Sequence, residues 1–143
     1  PSPPAKVDAT IINGATISLN YSSPAVKGRT IWGGLVPYNQ LWRTGANEAN
    51  VFQTDKDILV NGQKLPAGKY SLFTIPGVNE WTVIFNREWD QWGTMKYNSS
   101  NDVLRVTTKP QKSMQFNERL KFTLEDSVLS LLWENLQINL LLQ

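Results

Sequence analysis

The sequence contains neither cysteine nor histidine. Without cysteine there is no disulfide, no thiol nucleophile and no thiolate metal site. Without histidine the commonest general base, the Ser–His pair and the usual zinc ligand are all missing. Any catalysis has to run on carboxylates, lysine, tyrosine or arginine, and any metal would be a hard, oxygen-liganded cation. Charge is scarce as well: only 18% of residues carry it, and 14 cations against 12 anions leave a net +2. Lys6, Lys27, Lys56, Lys64, Lys96 and Lys121 lie far apart in the chain. No basic stripe forms, so nucleic acid is not an expected partner. No apolar run approaches the roughly 20 residues that a membrane-spanning helix needs. The longest, over 128–133, is short and strand-like, and no transmembrane segment is expected.

What is present is a pattern of short alternating segments and turns over 143 residues, a length that suits one domain with a real core. Pro1-Ser2-Pro3-Pro4 opens a proline-rich, extended leader over residues 1–8. It reads as a tail rather than a natural start, so a removed export signal is expected ahead of it. Asn13-Gly14 and Asn61-Gly62 each sit between apolar arms and predict hairpins with type I′ turns. Ile17, Leu19 and Tyr21 alternate with Thr16, Ser18 and Asn20, the period of a half-buried strand. Similar segments follow at 51–54, 58–60, 70–75, 81–86, 103–108, 119–124 and 129–133, with a break at Asn135 before a last strand. Residues 126–137 fit two strands better than a helix.

The expected fold is therefore all-β: a single-domain, two-sheet antiparallel β-sandwich of about ten short strands over residues 9–143, with Greek-key or jelly-roll-like connections. Its core should draw on Ile17, Leu19, Tyr21, Leu72, Val83, Phe85, Leu104, Val106, Phe122, Leu124, Leu131, Trp133, Ile138 and Leu140.

The long loop over 22–50 is the place to look for function. Its stretch from Lys27 to Glu48 holds two of six tryptophans, two of five arginines and four of nine glycines. It is too irregular for a strand and too rich in glycine for a helix. Loops of this length are functional or packed Ω-type structures. Arg43 offers a planar fork for a carboxylate or phosphate, and Glu48 an acid or base if burial raises its pKa. The plainer reading is an Arg43–Glu48 ion pair that ties down the loop. Lys27, Arg29 and Arg43 suggest a cationic floor for an anion. Trp32, Tyr38 and Trp92 offer flat surfaces for a sugar or peptide group, or else plug the open end of the core. Trp32 and Trp42 should pack over that end.

Acidic residues give weaker patterns. Asp55, Asp57, Asn101 and Asp102 carry oxygen ligands of the kind Ca²⁺ takes, but no loop has EF-hand spacing. Alternating aspartates at a strand start are ordinary turn chemistry, so no metal or other cofactor is expected. Glu48, Glu80, Glu88, Asp90 and Asp102 supply carboxylates for hydrolysis, and spacing alone pairs none of them.

Several of these segments resemble one bacterial family, the domain of unknown function 2911. The resemblance rests on Trp42-Arg43-Thr44-Gly45-Ala46-Asn47-Glu48 above all. It extends to Tyr21-Ser22-Ser23-Pro24, Lys27-Gly28-Arg29, Trp32-Gly33, Leu35-Val36-Pro37-Tyr38, Pro66-Ala67-Gly68-Lys69-Tyr70-Ser71-Leu72, Trp81 to Asn86 and Gln91-Trp92-Gly93. It implies an exported protein of the periplasm or cell surface and assigns no activity and no catalytic residue. The functional expectation is a non-catalytic module binding a small polar ligand, a glycan or an anion, through Arg43, Asn47, Glu48, Lys27, Arg29, Trp32, Tyr38 and Trp92. Two alternatives stand beside it: a carboxylate-dependent hydrolase using Glu48 and Arg43, and a protein-interaction domain that adds a strand to a sheet edge.

Overall fold

Period-two alternation becomes strand β2 (Thr16–Ser22), with Ile17, Leu19 and Tyr21 turned inward. The computed structural model describes residues 1–143. Before β2 comes β1 (Pro4–Thr10), and after it β3 (Asn50–Thr54), the hairpin β4 (Ile58–Val60) and β5 (Gln63–Leu65), then β6 (Gly68–Ile75), β7 (Trp81–Asn86) and β8 (Asp102–Thr108). Six of them form one antiparallel sheet in the order β1-β2-β3-β6-β7-β8. The chain ends in a long two-stranded ribbon, β9 (Gln111–Glu125) with β10 (Val128–Leu141). The fold is all-β, antiparallel and sandwich-like.

One apolar cluster joins sheet and ribbon, from Ile17, Leu19 and Phe85 to Phe122, Leu131 and Trp133. The ring of Tyr21 meets Phe122 edge-on at 4.9 Å, and its hydroxyl accepts the Phe122 N–H at 3.1 Å. The opposite face of the sheet carries a smaller cluster of Phe73, Ile84 and Ala49, covered by Leu41 and Tyr97. β6 and β7 are thus buried on both faces, which is why their sequences read as apolar runs rather than clean alternation.

Four expectations need correction. The leader is not a free tail, since Pro4 to Thr10 pair along β2, with Val7 opposite Leu19. Proline suits this position because β1 is an edge strand, where a missing N–H costs no ladder bond. The sheet is a meander, not a Greek key. The strands flanking the long loop pair directly, Ile17 with Thr54 and Leu19 with Phe52, so the loop leaves and returns at one place. Of the two Asn-Gly turns, only Asn61-Gly62 has both residues at positive φ, 47° and 83°. At Asn13-Gly14 only Gly14 does, and the Asn13 side chain accepts the Ala15 N–H at 2.7 Å, as in a three-residue loop. Finally, the break expected at Asn135 is a bulge. Glu134 takes φ 58° and the register slips on either side of it, but β10 continues.

Candidate functional site

The long loop folds inward. Val26, Ile31 and Val36 join the main core, and Trp32 and Trp42 pack against it. Four of the six tryptophans meet there. Trp32 lies edge-on to Trp81 at 5.3 Å, to Trp42 at 5.8 Å and to Trp133 at 5.9 Å, while Trp42 stacks on Trp133 at 6.0 Å with 13° between planes. Loop, β7 and β10 are fastened at this cluster, and such aromatic pairs contribute about 0.5–1.5 kcal/mol each beyond their buried area. The Trp133 N–H donates to the Glu118 carbonyl at 3.3 Å. The buried N–H groups of Trp32 and Trp81 have no conventional acceptor.

Beside this cluster the chain makes an over-determined turn. Trp42 exchanges two backbone bonds with Thr74, at 2.8 and 3.0 Å. Thr44 is fully buried at φ 65°, a conformation that a β-branched residue adopts only under constraint. Its hydroxyl bonds the Trp42 carbonyl at 3.1 Å and lies 3.0 Å from the Thr74 hydroxyl, and its carbonyl accepts from the Asn50 side chain at 2.8 Å. Gly45 follows where a Cβ would stand 3.0 Å from the Ser22 carbonyl and 3.2 Å from Asn50 Oδ1, so only glycine fits without a shift. The turn holds Arg43 in place from both sides.

Arg43 and Arg29 line one cavity of about 300 Å³, together with Trp42, Trp133, Leu35 and Val36. No acidic residue lines it. Arg29 is anchored: its Nε donates to the Val26 carbonyl at 3.0 Å and its Nη2 to the Ala25 carbonyl. Arg43 is not. Its Nε is sealed from solvent with no acceptor, and all three ion pairs of the chain lie elsewhere. Gly45 and Ala46 reach the same cavity, and neither backbone N–H finds a carbonyl. The arrangement is rich in donors and lacks negative charge.

The other residues singled out from sequence lie apart from this cavity. Asn47 and Glu48 are exposed, and the Arg43–Glu48 pair does not form. Glu48 lines a different, smaller hollow with Tyr21, Asn20 and Val51. Its backbone bridges to Trp92, which is 65% exposed, so the long loop touches the connection between β7 and β8 at that point. Asn47 reaches the Ser2 carbonyl and the Ser22 hydroxyl, both at 3.4 Å. Lys27 is exposed, and its backbone N–H donates to Glu118 at 3.0 Å. The Tyr38 ring lies against Gly33, where a Cβ would come within 2.9 Å of it. Trp32 belongs to the tryptophan cluster. Of the eight candidates, only Arg29 and Arg43 share the cavity. Trp133 and Leu35 of its wall went unnamed as site residues; an apolar residue of the core pattern gives no sign in sequence that it also faces a cavity.

The acidic residues are engaged separately. Asp55 accepts the Thr16 N–H at 2.8 Å. Asp57 accepts from Ala67 at 2.8 Å and pairs with Lys64 at 3.4 Å; the Ala67 bond, then Lys64, holds its carboxyl below the usual range. Asp102 takes the Tyr97 hydroxyl at 2.6 Å, Arg105 Nε at 2.9 Å and Asn86 at 2.9 Å. Arg105 also donates to the Tyr97 hydroxyl at 2.9 Å. Burial, followed by the Asp102 bond, pushes the Tyr97 hydroxyl above its ordinary pKa.

The model of the family described as "Protein of unknown function (DUF2911)" matches residues 2–142. The chain belongs to this family. The match spans β1 through β10 and therefore includes the Arg43 turn, the tryptophan cluster and the cavity wall. No curated protein and no solved structure matches the chain. No helix is long and apolar enough to cross a membrane.

Proposed function

We propose that this DUF2911 domain is a non-catalytic binding module whose ligand carries an oxyanion, held by Arg43 with Arg29 beside it in the cavity over Trp42 and Trp133. The observation that carries the reading is Arg43 itself, a guanidinium with a sealed Nε and no partner, in a cavity with no acidic lining. An unpaired buried donor costs about 1–3 kcal/mol. The left-handed Thr44 next to it costs a similar amount. The hydrogen bonds of Thr44 offset part of its own cost but none of that at Arg43, which fits a turn kept for what it presents. Arg43 and Glu48 line different hollows, which supports binding over a hydrolysis that uses both. The free edge strand β1 places Lys6 and Asp8 as an exposed pair, a feature that discourages strand addition.

Thermal shift tests this reading. Phosphate, sulfate, acetate and benzoate are screened against wild type and Arg43→Gln, since a ligand of the native state raises its Tm by mass action. At least one anion should stabilise wild type and leave the variant unmoved. Equal shifts in both, or none in wild type, would overturn the reading. We also propose, on the family resemblance, that binding takes place outside the cytoplasm. Fractionation of cells expressing the native gene checks this, and recovery in the cytoplasmic fraction alone would contradict it.

A further inference from the structure

We propose that the ligand is an amphiphilic oxyanion with one flat apolar body and one carboxylate or phosphoryl head, rather than a sugar or a bare inorganic anion. The inference rests on the reading of the cavity as an oxyanion site and goes on to the part of the ligand that Arg43 does not touch.

The cavity lining is of two kinds. Its polar members are Arg43 and Arg29, with Gly45 and Ala46, whose N–H groups find no carbonyl. With Arg43 Nε sealed, its two terminal nitrogens remain, a fork that matches two oxygens of one head group. Arg29 commits Nε and Nη2 to carbonyls and keeps Nη1. The apolar wall open to a ligand is Trp42, half-buried, and Leu35, half-exposed; Trp133 stacks on Trp42, 13° from parallel, and like Val36 and Pro24 is nearly closed to solvent.

This wall decides against a sugar. Ring hydroxyls need acceptors as well as donors, and a site that leaves them unpaired rejects them. The lining has no Asp, Glu, Asn or Gln, and its single side-chain hydroxyl is that of Ser2. The wall also decides against a bare anion, which would leave the apolar half hydrated. About 300 Å³ lies at the small end of ligand pockets and suits one ring with its head group. Leu35 is half-exposed at this wall, so ligand contact would cover surface that the fold leaves wet.

The test is calorimetric titration of the whole domain with matched probes: benzoate against acetate, phenyl phosphate against inorganic phosphate, glucuronate as the sugar acid, and benzyl alcohol as the uncharged ring. The expected result is that an aryl anion binds about tenfold or more tightly than its bare counterpart and than glucuronate, with benzyl alcohol not binding. Whether benzoate or phenyl phosphate leads names the head group. Arg43→Gln should weaken the aryl anion about tenfold or more. Leu35→Ser, at a half-exposed position that tolerates polarity, should weaken the aryl anion and leave acetate and phosphate unchanged, which separates loss of the wall from loss of the fold. If acetate or phosphate binds as tightly as its aryl partner, through Arg43, the oxyanion site stands and the amphiphilic ligand is overturned. Tighter binding of glucuronate overturns it too. If no anion binds wild type, both readings fall.

Discussion

Two arginines of this domain face opposite situations. Arg105 sits in a closed polar cluster, donating to Asp102 and Tyr97 at 2.9 Å each, and its guanidinium is pushed above its ordinary pKa chiefly by the Asp102 bond. Arg43 sits in an equally defined turn and bonds to nothing. Both regions are well ordered by their surroundings, so order alone does not separate a structural arginine from a functional one. What separates them is whether the fold supplies the counter-charge. The structural pair that sequence reasoning weighed for Arg43 and Glu48 does exist in this molecule, but at Arg105 and Asp102.

The largest expected effect strikes the scaffold under Arg43. Trp81 is fully buried in the tryptophan cluster, edge-on to Trp32 and Trp42. Trp81→Ala should lower unfolding stability in urea by about 3–5 kcal/mol. A loss under about 1 kcal/mol would mean that the loop end is not part of the core, and the contrast between a fixed frame and a free arginine would collapse. Next comes the closed cluster. Asp102→Ala leaves Tyr97, Arg105 and Asn86 without their acceptor and should cost about 1–3 kcal/mol. It should leave anion-induced thermal shifts intact.

A matched pair of substitutions sharpens the comparison. Methionine keeps the length of arginine's apolar stem and removes its charge. Arg105→Met should cost about 1 kcal/mol, reduced from the buried value because the arginine is partly exposed. Arg43→Met should cost no stability and should gain up to about 1–3 kcal/mol, since an unpaired buried donor is removed and no partner is lost, yet it should abolish the anion response. Equal losses at both positions would make Arg43 structural.

The smallest effect is in pH. Tyr97 and Tyr70 are raised above the usual 10.0, each chiefly by burial. Above that value the unfolded chain loses these protons while the folded chain keeps them. Their contribution is therefore complete below pH 10 and is lost as pH rises through the folded values. Urea titrations from neutral to alkaline pH should show this decline, and Tyr97→Phe should flatten part of it. An unchanged alkaline slope would deny Tyr97 its place in the closed cluster.

Much of the frame was legible because burial and strand period coincide. Thirteen of the fourteen residues expected inside lie in the main core, and Leu104 packs half-buried against it. The segments that misled lacked that signal. β1 carries Ala5, Val7 and Ala9, small or isolated apolar residues behind four residues of proline-rich leader, so its pairing comes from β2 rather than from its own pattern. The Asn13-Gly14 turn differs from Asn61-Gly62 because the Asn13 side chain takes a local bond, which a dipeptide motif does not reveal. At the site, the loop and Arg43 stood out by composition. That Arg29 would join Arg43 while Asn47, Glu48 and Trp92 turned elsewhere depends on the bridge of Glu48 to Trp92, a contact between loops more than forty residues apart. No local rule carries such information.

The most direct test follows the Nε–H of Arg43 by NMR in an arginine-labelled domain, its signal assigned as the one absent from Arg43→Gln. Sealed from solvent, this proton should exchange slowly enough to be seen. With added benzoate or phenyl phosphate the Arg43 signal should move saturably while that of Arg105, already paired with Asp102, stays in place. An Arg43 signal that ignores every anion, or that moves no more than Arg105, would contradict the account.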